Sequence, residues 1–130
     1  MPTTEFIEWR ADEIAQVYLN KAGLDLLPDF GEKFDFIAFP KDTHRKQLAI
    51  EIKVWQRNLP PSMNMIENIA SKPHYLATPF MIMFINVENE KGFFYISSNE
   101  YNSGVLRLNF NTLLNSINKL FRLMPDSGFI

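Results

Sequence analysis

Apolar and polar positions recur with two different periods along the chain, and the period separates predicted helices from predicted strands. Close to the N-terminus the apolar residues repeat at intervals of three and four, as on one face of a helix. They are Ile7, Ala11, Ile14, Ala15, Tyr18 and Ala22. Thr3 or Thr4 can cap this helix, and Gly23 can end it in a left-handed conformation. A last helix with a similar stripe is predicted over residues 111–123.

Alternation with a period of two marks the strand over residues 47–55. Four aliphatic side chains face one way, and Ala49, Glu51, Lys53 and Trp55 face the other. The preceding strand, residues 33–39, is a compact apolar run with one acid inside it. These two segments predict a pair of neighbouring strands joined by a polar turn.

The remaining segments complete the predicted order of elements. Residues 24–30 are predicted as an extended link, and a helix begins at Pro61 or Ser62 and ends near Lys72. Three strands then precede the last helix, at residues 79–87, 93–97 and, as a shorter candidate, 105–110. The order αββαββ(β)α predicts an α/β (α+β) fold, with a small mixed sheet flanked by helices, in one domain over residues 1–130.

Composition and charge restrict the classes of function. The chain has no cysteine, which excludes a disulfide framework, a zinc–thiolate site and a cysteine nucleophile. The best apolar run, residues 79–87, is far shorter than the roughly 18 residues needed to cross a bilayer, and no signal-peptide pattern opens the chain. We therefore expect a cytoplasmic protein without a membrane partner. The net charge of −2 argues against strong non-specific binding to nucleic acid, although a local basic rim is compatible with it.

Three charged residues in the first two predicted strands carry the candidate chemistry. Glu51 and Lys53 share one strand face, roughly 7 Å apart at ~3.3 Å per residue. Asp35 interrupts an apolar run, where an acid is costly unless it is paired or bound to metal. If the strands pair, Asp35 approaches Glu51, and Mg²⁺ is the natural cation between two carboxylates. The alternative is an exposed charge pair on a solvated sheet face.

These residues resemble the signature of the restriction-endonuclease-like superfamily, written PD-(D/E)xK. The resemblance runs from Asp12 to about Ser97 and includes Asp35 in the first strand and the triplet Glu51-Ile52-Lys53 in the second. The layout is similar to archaeal Holliday-junction resolvases and to small bacterial nuclease-like domains.

The resemblance implies a role for each of these residues. Asp35 and Glu51 would bind Mg²⁺ (or Mn²⁺) with the backbone carbonyl of Ile52, and Lys53 would be catalytic. An acid on the first helix would complete the metal shell. Two departures are visible, since Phe34 stands where the family often has proline and Asp12 stands where it usually has glutamate. Glu8, one turn earlier, is the alternative to Asp12.

Four further residues are candidates for contact with nucleic acid: Trp55, Gln56, Arg57 and Lys72. Trp55 shares the Glu51 face and can stack on a base or sugar, or it can belong to the core. The resemblance also implies a homodimer, because two sites cut two strands. The apolar segment 93–96 or the last helix is then the expected contact surface.

The sequence thus favours a Mg²⁺-dependent endonuclease that hydrolyses phosphodiester bonds in duplex or branched DNA. A second hypothesis is a catalytically inactive nuclease-fold module that binds DNA or protein or has a structural role. A third is an unrelated α+β interaction domain in which the Glu-x-Lys triplet occurs by chance.

Overall fold

A computed structural model describes residues 3–31, 33–76 and 78–126 as an α+β fold. Its elements in chain order are α1 Thr4–Lys21, β1 Leu24–Pro28, β2 Phe36–Pro40, β3 Leu48–Val54, α2 Met63–Ala70, a short 3-10 helix Pro73–Tyr75, β4 Phe80–Asn86, β5 Lys91–Ser97, β6 Asn102–Arg107 and α3 Phe110–Leu123. The predicted class, a mixed sheet with flanking helices, is confirmed.

The six strands form one sheet in which spatial order equals sequence order, β1-β2-β3-β4-β5-β6. Neighbouring strands are antiparallel except for β3 and β4, which are parallel. Antiparallel neighbours are joined by short turns, whereas a parallel pair needs a crossover, and α2 lies in that connection. The parallel pair at the centre places the C-terminal ends of β3 and β4 at the same edge of the sheet.

One predicted segment is corrected by this topology. Residues 24–30 were expected to be an extended link, but Leu24–Pro28 is a full strand that pairs antiparallel with β2. It is an edge strand, and an edge tolerates Pro28 at the strand end, where no ladder hydrogen bond is lost. Its sequence, Leu-Asp-Leu-Leu-Pro, lacks the alternation that identifies a strand, so only pairing with β2 defines it. The order is therefore αβββαβββα.

The helix boundaries follow the predicted caps. The Thr3 hydroxyl accepts a hydrogen bond from the Phe6 N–H at 3.1 Å, and Gly23 follows the first helix with φ +89°. The Ser62 hydroxyl caps α2 in the same way, accepting from the Met65 N–H at 3.2 Å. The second helix ends earlier than predicted, at Ala70, and the 3-10 helix follows it.

Both faces of the sheet are covered by apolar clusters. Leu48 and Ile50 of β3 lie in the cluster with α1 and α3, whereas Ala49 packs on the opposite face with Ile66 of α2. This confirms the predicted alternation of β3. Every residue of β4 is buried, as expected for a central strand.

The same packing contradicts one proposed dimer surface. Phe93, Phe94, Tyr95 and Ile96 are all buried within the chain, because β5 lies between β4 and β6 and has packed faces on both sides. Segment 93–96 is therefore core and is not available to a second copy. Among the described residues, no helix has the length and apolar character required to cross a membrane.

Candidate functional site

Asp35 and Glu51 lie where the pairing of β2 with β3 stops. The register of β2 with β3 ends at Phe36 opposite Ile50, so Asp35 immediately precedes β2 and Glu51 is just beyond the part of β3 that pairs with β2. The Asp35 carboxylate accepts a hydrogen bond from the Ile52 N–H at 2.7 Å. The Asp35 carboxylate therefore replaces the backbone carbonyl that would accept this hydrogen bond if the pairing of β2 with β3 continued.

The side chains of Asp35 and Glu51 are close enough for Asp35 to raise the pKa of Glu51 through a hydrogen bond and through its charge. Two carboxyl groups can share a hydrogen bond only when one of them carries a proton, because two carboxylates only accept. Burial, followed by the hydrogen bond and the charge of Asp35, raises the pKa of Glu51 to about 7. Lys53 acts in the opposite direction on the pKa of Glu51. The fold thus brings the two acids together rather than placing them on opposite faces of the sheet.

Lys53 is two residues beyond Glu51 on the same strand face, as its spacing predicts. It is half-buried and takes part in none of the ion pairs found within residues 3–31, 33–76 and 78–126. The Lys53 ammonium group therefore lies near Asp35 and Glu51 but forms an ion pair with neither of them. It can still bind an anion or a water molecule.

Both candidate acids of the first helix lie at the same opening as Asp35 and Lys53, a depression of about 440 Å³. Burial, then the negative charges of Asp35 and Glu8, raises the pKa of Asp12 to about 6. Glu8 is exposed, one turn earlier on α1. Asp12 is thus the helix acid that interacts electrostatically with Asp35.

The donor set fits a hydrated divalent cation better than a closed metal cage. Among the described residues, no group of three or more His, Cys, Asp or Glu side chains is arranged to hold a metal ion. Mg²⁺, however, is often bound by one or two carboxylates and keeps several waters. The Ile52 carbonyl points to the same strand edge as its N–H, toward Asp35, and can serve as a further oxygen ligand.

Tyr75 is a site residue that the sequence did not reveal. Its hydroxyl donates a hydrogen bond to Glu51 Oε2 at 3.1 Å, and the residue is only 3% exposed. The ring packs edge-on against Phe34 and Phe80, with centroids 5.0 and 4.8 Å away. Burial and the charge of Glu51 raise the pKa of Tyr75, which keeps its proton on the hydroxyl. No periodic pattern marks Tyr75, because it comes from the 3-10 helix.

Trp55 has its indole group held by protein contacts. The indole N–H donates to the Leu59 carbonyl at 2.8 Å, and the ring meets Phe84 edge-on. The guanidinium of Arg57 lies over the Trp55 ring, 5.3 Å from its centroid. Trp55 and Arg57 therefore form one stacked unit at the end of β3.

The other two candidates for nucleic-acid contact lie in different settings. The side-chain oxygen of Gln56 accepts a hydrogen bond from the Val87 N–H at 2.9 Å, which ties the end of β3 to the end of β4. Lys72 is exposed and precedes the 3-10 helix. Gln56 thus has a structural contact that its position in the sequence did not indicate.

A scan against protein-family models and a search of curated proteins both found no match to this chain. Fold and site geometry therefore provide the structural basis for a functional proposal.

Proposed function

We propose that this chain is a Mg²⁺-dependent nuclease that hydrolyses phosphodiester bonds in DNA. The observation that carries the proposal is the contact between the Asp35 and Glu51 carboxyl groups beside the Ile52 carbonyl and the Lys53 amine. A close acidic pair is unfavourable once both members ionise, and a divalent cation removes that cost. Asp35 and Lys53 also line the solvent-open depression, so a phosphate group can reach them.

The chain's own residues divide the work of the proposed reaction. Asp35 is fixed by the Ile52 N–H and Glu51 by the Tyr75 hydroxyl, so both carboxyl groups are oriented before a ligand arrives. Lys53 can hold the attacking water or balance charge on the phosphate. When bound, Mg²⁺ supplies Lewis-acid polarisation of the phosphate and eases deprotonation of water.

Calorimetric titration with Mn²⁺ at pH 8 tests the metal site. We expect wild type to bind one ion and Asp35→Asn to bind at least tenfold more weakly, since one oxygen ligand with its charge is lost. Asp42→Asn, which changes an exposed acid in the turn between β2 and β3, is the matched control and should bind like wild type. Absence of binding by wild type would exclude the metal-dependent reaction.

A plasmid-nicking assay with Mg²⁺ tests catalysis. Lys53→Ala should lower the rate by about 10²-fold or more, the usual range for a group that moves a proton or balances charge. Lys119→Ala, an exposed change on α3, should leave the rate unchanged. Equal rates for wild type and Lys53→Ala would show that the cleavage comes from another site or a contaminant.

The second candidate function is a nuclease-fold module that binds without cutting. It is favoured by the absence, among the residues the structure describes, of a group of three acids set to hold a metal ion. Metal or DNA binding without nicking would identify this case. A homodimer remains a prediction, and with segment 93–96 buried α3 is the remaining expected surface, testable by sedimentation velocity over a range of concentrations.

A further inference from the structure

Phe30 is the most exposed large apolar side chain of the described residues, with 86% of its surface accessible. It lies in the loop between β1 and β2, outside both apolar clusters. An aromatic ring in this position contributes nothing to the core and exposes apolar surface to water. A ligand that covers the ring would recover that free energy.

The loop that carries Phe30 is held by its neighbour, Asp29. The Asp29 carboxylate accepts three backbone hydrogen bonds, from Gly31 at 3.0 Å, Lys33 at 3.0 Å and Phe34 at 2.8 Å. These bonds, that of Phe34 first, lower the pKa of Asp29, so the carboxylate stays charged and the contacts persist at neutral pH. The bonds to Gly31 and Phe34 therefore hold the backbone around Phe30, so less backbone entropy is lost when a ligand covers the ring.

The same loop is joined to the candidate site. The Phe34 ring packs edge-on against Tyr75, and Tyr75 donates to Glu51. Phe30 is five residues from Asp35, a separation of at most about 18 Å in extended chain. At 3.4 Å per stacked nucleotide this is on the order of five nucleotides. One strand of nucleic acid can thus reach from the acidic pair to the Phe30 ring.

The charges around the site disfavour binding through phosphates. Asp12, Asp35 and Glu51 crowd this end of the sheet, and the whole chain has a net charge of −2. Affinity that depends on neutralising many phosphates needs a basic surface. Stacking of a base on an aromatic ring adds affinity that does not come from neutralising phosphates, and it requires a base that is free of its partner strand.

We propose that Phe30 is a fixed stacking platform for an unpaired base, and that the site acts on single-stranded nucleic acid or on the unpaired segment of a branched one. This inference deepens the proposed nuclease function and rests on it for the reaction. Phe30 selects the substrate by stacking, and the acidic pair lies within reach along the same strand.

Fluorescence anisotropy in EDTA tests the platform separately from cleavage. The probes are labelled 12-residue oligo(dT), labelled oligo(U) and a blunt 12-base-pair DNA duplex. We expect wild type to bind a single strand more tightly than the duplex. Phe30→Ala should weaken single-strand binding by about tenfold, and Phe30→Trp should retain it.

Leu123→Ala is the matched control, since Leu123 is an exposed apolar residue at the opposite end of the sheet. That location follows from Lys46, in the turn between β2 and β3, which donates to the carbonyl of Phe121 in the last turn of α3. This variant should bind like wild type. Loss of affinity for oligo(dT) in Phe30→Ala identifies DNA as the ligand, and loss of affinity for oligo(U) identifies RNA.

The platform is overturned if wild type binds no single strand, prefers the duplex, or binds single strands equally after Phe30→Ala. Failure of the nuclease proposal has a different signature, in which single-strand binding depends on Phe30 but no metal-dependent cleavage occurs. Cleavage that depends on Lys53 but not on Phe30 would instead remove the platform and leave the nuclease. The two proposals therefore fail separately.

Discussion

Asp35, Glu51 and Tyr75 form a chain of contacts in which each carboxyl group accepts a hydrogen bond from a named donor through one oxygen. The Ile52 N–H holds Asp35, the Tyr75 hydroxyl holds Glu51, and the two carboxyl groups meet between them. Burial, and then the contact with Asp35, favours the protonated carboxyl group, which is why the pKa of Glu51 rises to about 7. Protons and metal ions therefore compete for the same place.

The shifted pKa of Glu51 predicts a dependence of stability on pH. Between its ordinary value of 4.5 and about 7 the folded state holds a proton that the unfolded state has released, so stability without metal falls as pH rises through this window. Glu51→Gln cannot ionise and should avoid the loss. In EDTA we expect it to match wild type near pH 4.5 and to be about 1–2 kcal/mol more stable at pH 8, after allowance for partial exposure.

Urea unfolding at the two pH values measures this difference. Glu67→Gln, an exposed substitution on α2, should show no gain at pH 8. A gain for Glu51→Gln that is the same at pH 4.5 and pH 8 would contradict the assignment, since it would not depend on ionisation.

At the scale of elements, local signals decided the helices better than the strands. Thr3 and Ser62 cap helices where their sequence positions indicate, because a cap bonds a backbone N–H only three residues away. The sequence does not identify the first strand, Leu24–Pro28, because its own residues lack a strand pattern and only the pairing with β2 defines it. At the N-terminal end of β1 the paired residues of β2 are twelve or more positions away in the chain. The strand β6 also begins earlier than predicted, at Asn102 and not at residue 105. Near this start Gly104 adopts φ +65°, and the pairing with β5 shifts its register beside Ile96.

The β4–β5 hairpin has a steric requirement at Gly92. A Cβ there would lie 1.8 Å from the Phe84 carbonyl oxygen, a backbone atom that cannot move without breaking the ladder. We expect Gly92→Ala to destabilise the fold by roughly 3 kcal/mol or more, as other overpacked and strained sites do. Gly104→Ala is the comparison, since its Cβ would meet nothing within 4 Å and only the positive φ is strained, at a cost of about 1–2 kcal/mol.

Urea unfolding of both variants measures the two costs. Equal losses for Gly92→Ala and Gly104→Ala would mean that the hairpin accommodates the extra methyl group, contrary to the close approach of β4 and β5.

At the scale of the whole molecule, the site exists because α1, β2 and β3 converge at one end of the sheet. Asp12 comes from the helix, Asp35 precedes β2, and Glu51 lies on β3. Each acid is buried only when the three elements pack together. That burial is the main reason why the pKa values of Asp12 and Glu51 are raised. Ligand binding to the assembled site should therefore stabilise the entire fold.

Thermal unfolding with Mn²⁺ should show that linkage. At an ion concentration about 100 times the dissociation constant, the gain is about 2.7 kcal/mol, which raises Tm by roughly 5 °C or more for a domain of this size. The rise should be present at pH 8 and smaller at pH 5, where the proton on Glu51 competes with the ion. Asp35→Asn should show no rise, and an equal rise in that variant would place the ion elsewhere.

Much of the candidate site was accessible from the sequence because Glu51 and Lys53 lie on one strand and Asp35 immediately precedes the neighbouring strand. The spacing of Glu51 and Lys53 sets their common face, and the cost of an acid in an apolar run singles out Asp35. Tyr75 and the bond from Gln56 to Val87 were not accessible, because both join segments far apart in the chain. The exposure of Phe30 was equally hidden, since an apolar residue beside a strand is ordinarily expected to be buried.

The sequence by itself determined, to within a residue, where the first two helices begin, and it determined the alternation of β3 and the presence of two acids and a lysine on β3 and at the start of β2. These features depend on bonds and periodicities that span a few residues. Only the tertiary structure decided that Leu24–Pro28 is a strand, that segment 93–96 is core, and that Glu51 lies close to Asp35 and accepts a hydrogen bond from Tyr75. Such outcomes depend on which distant segments pack together, and local patterns carry little information about that choice.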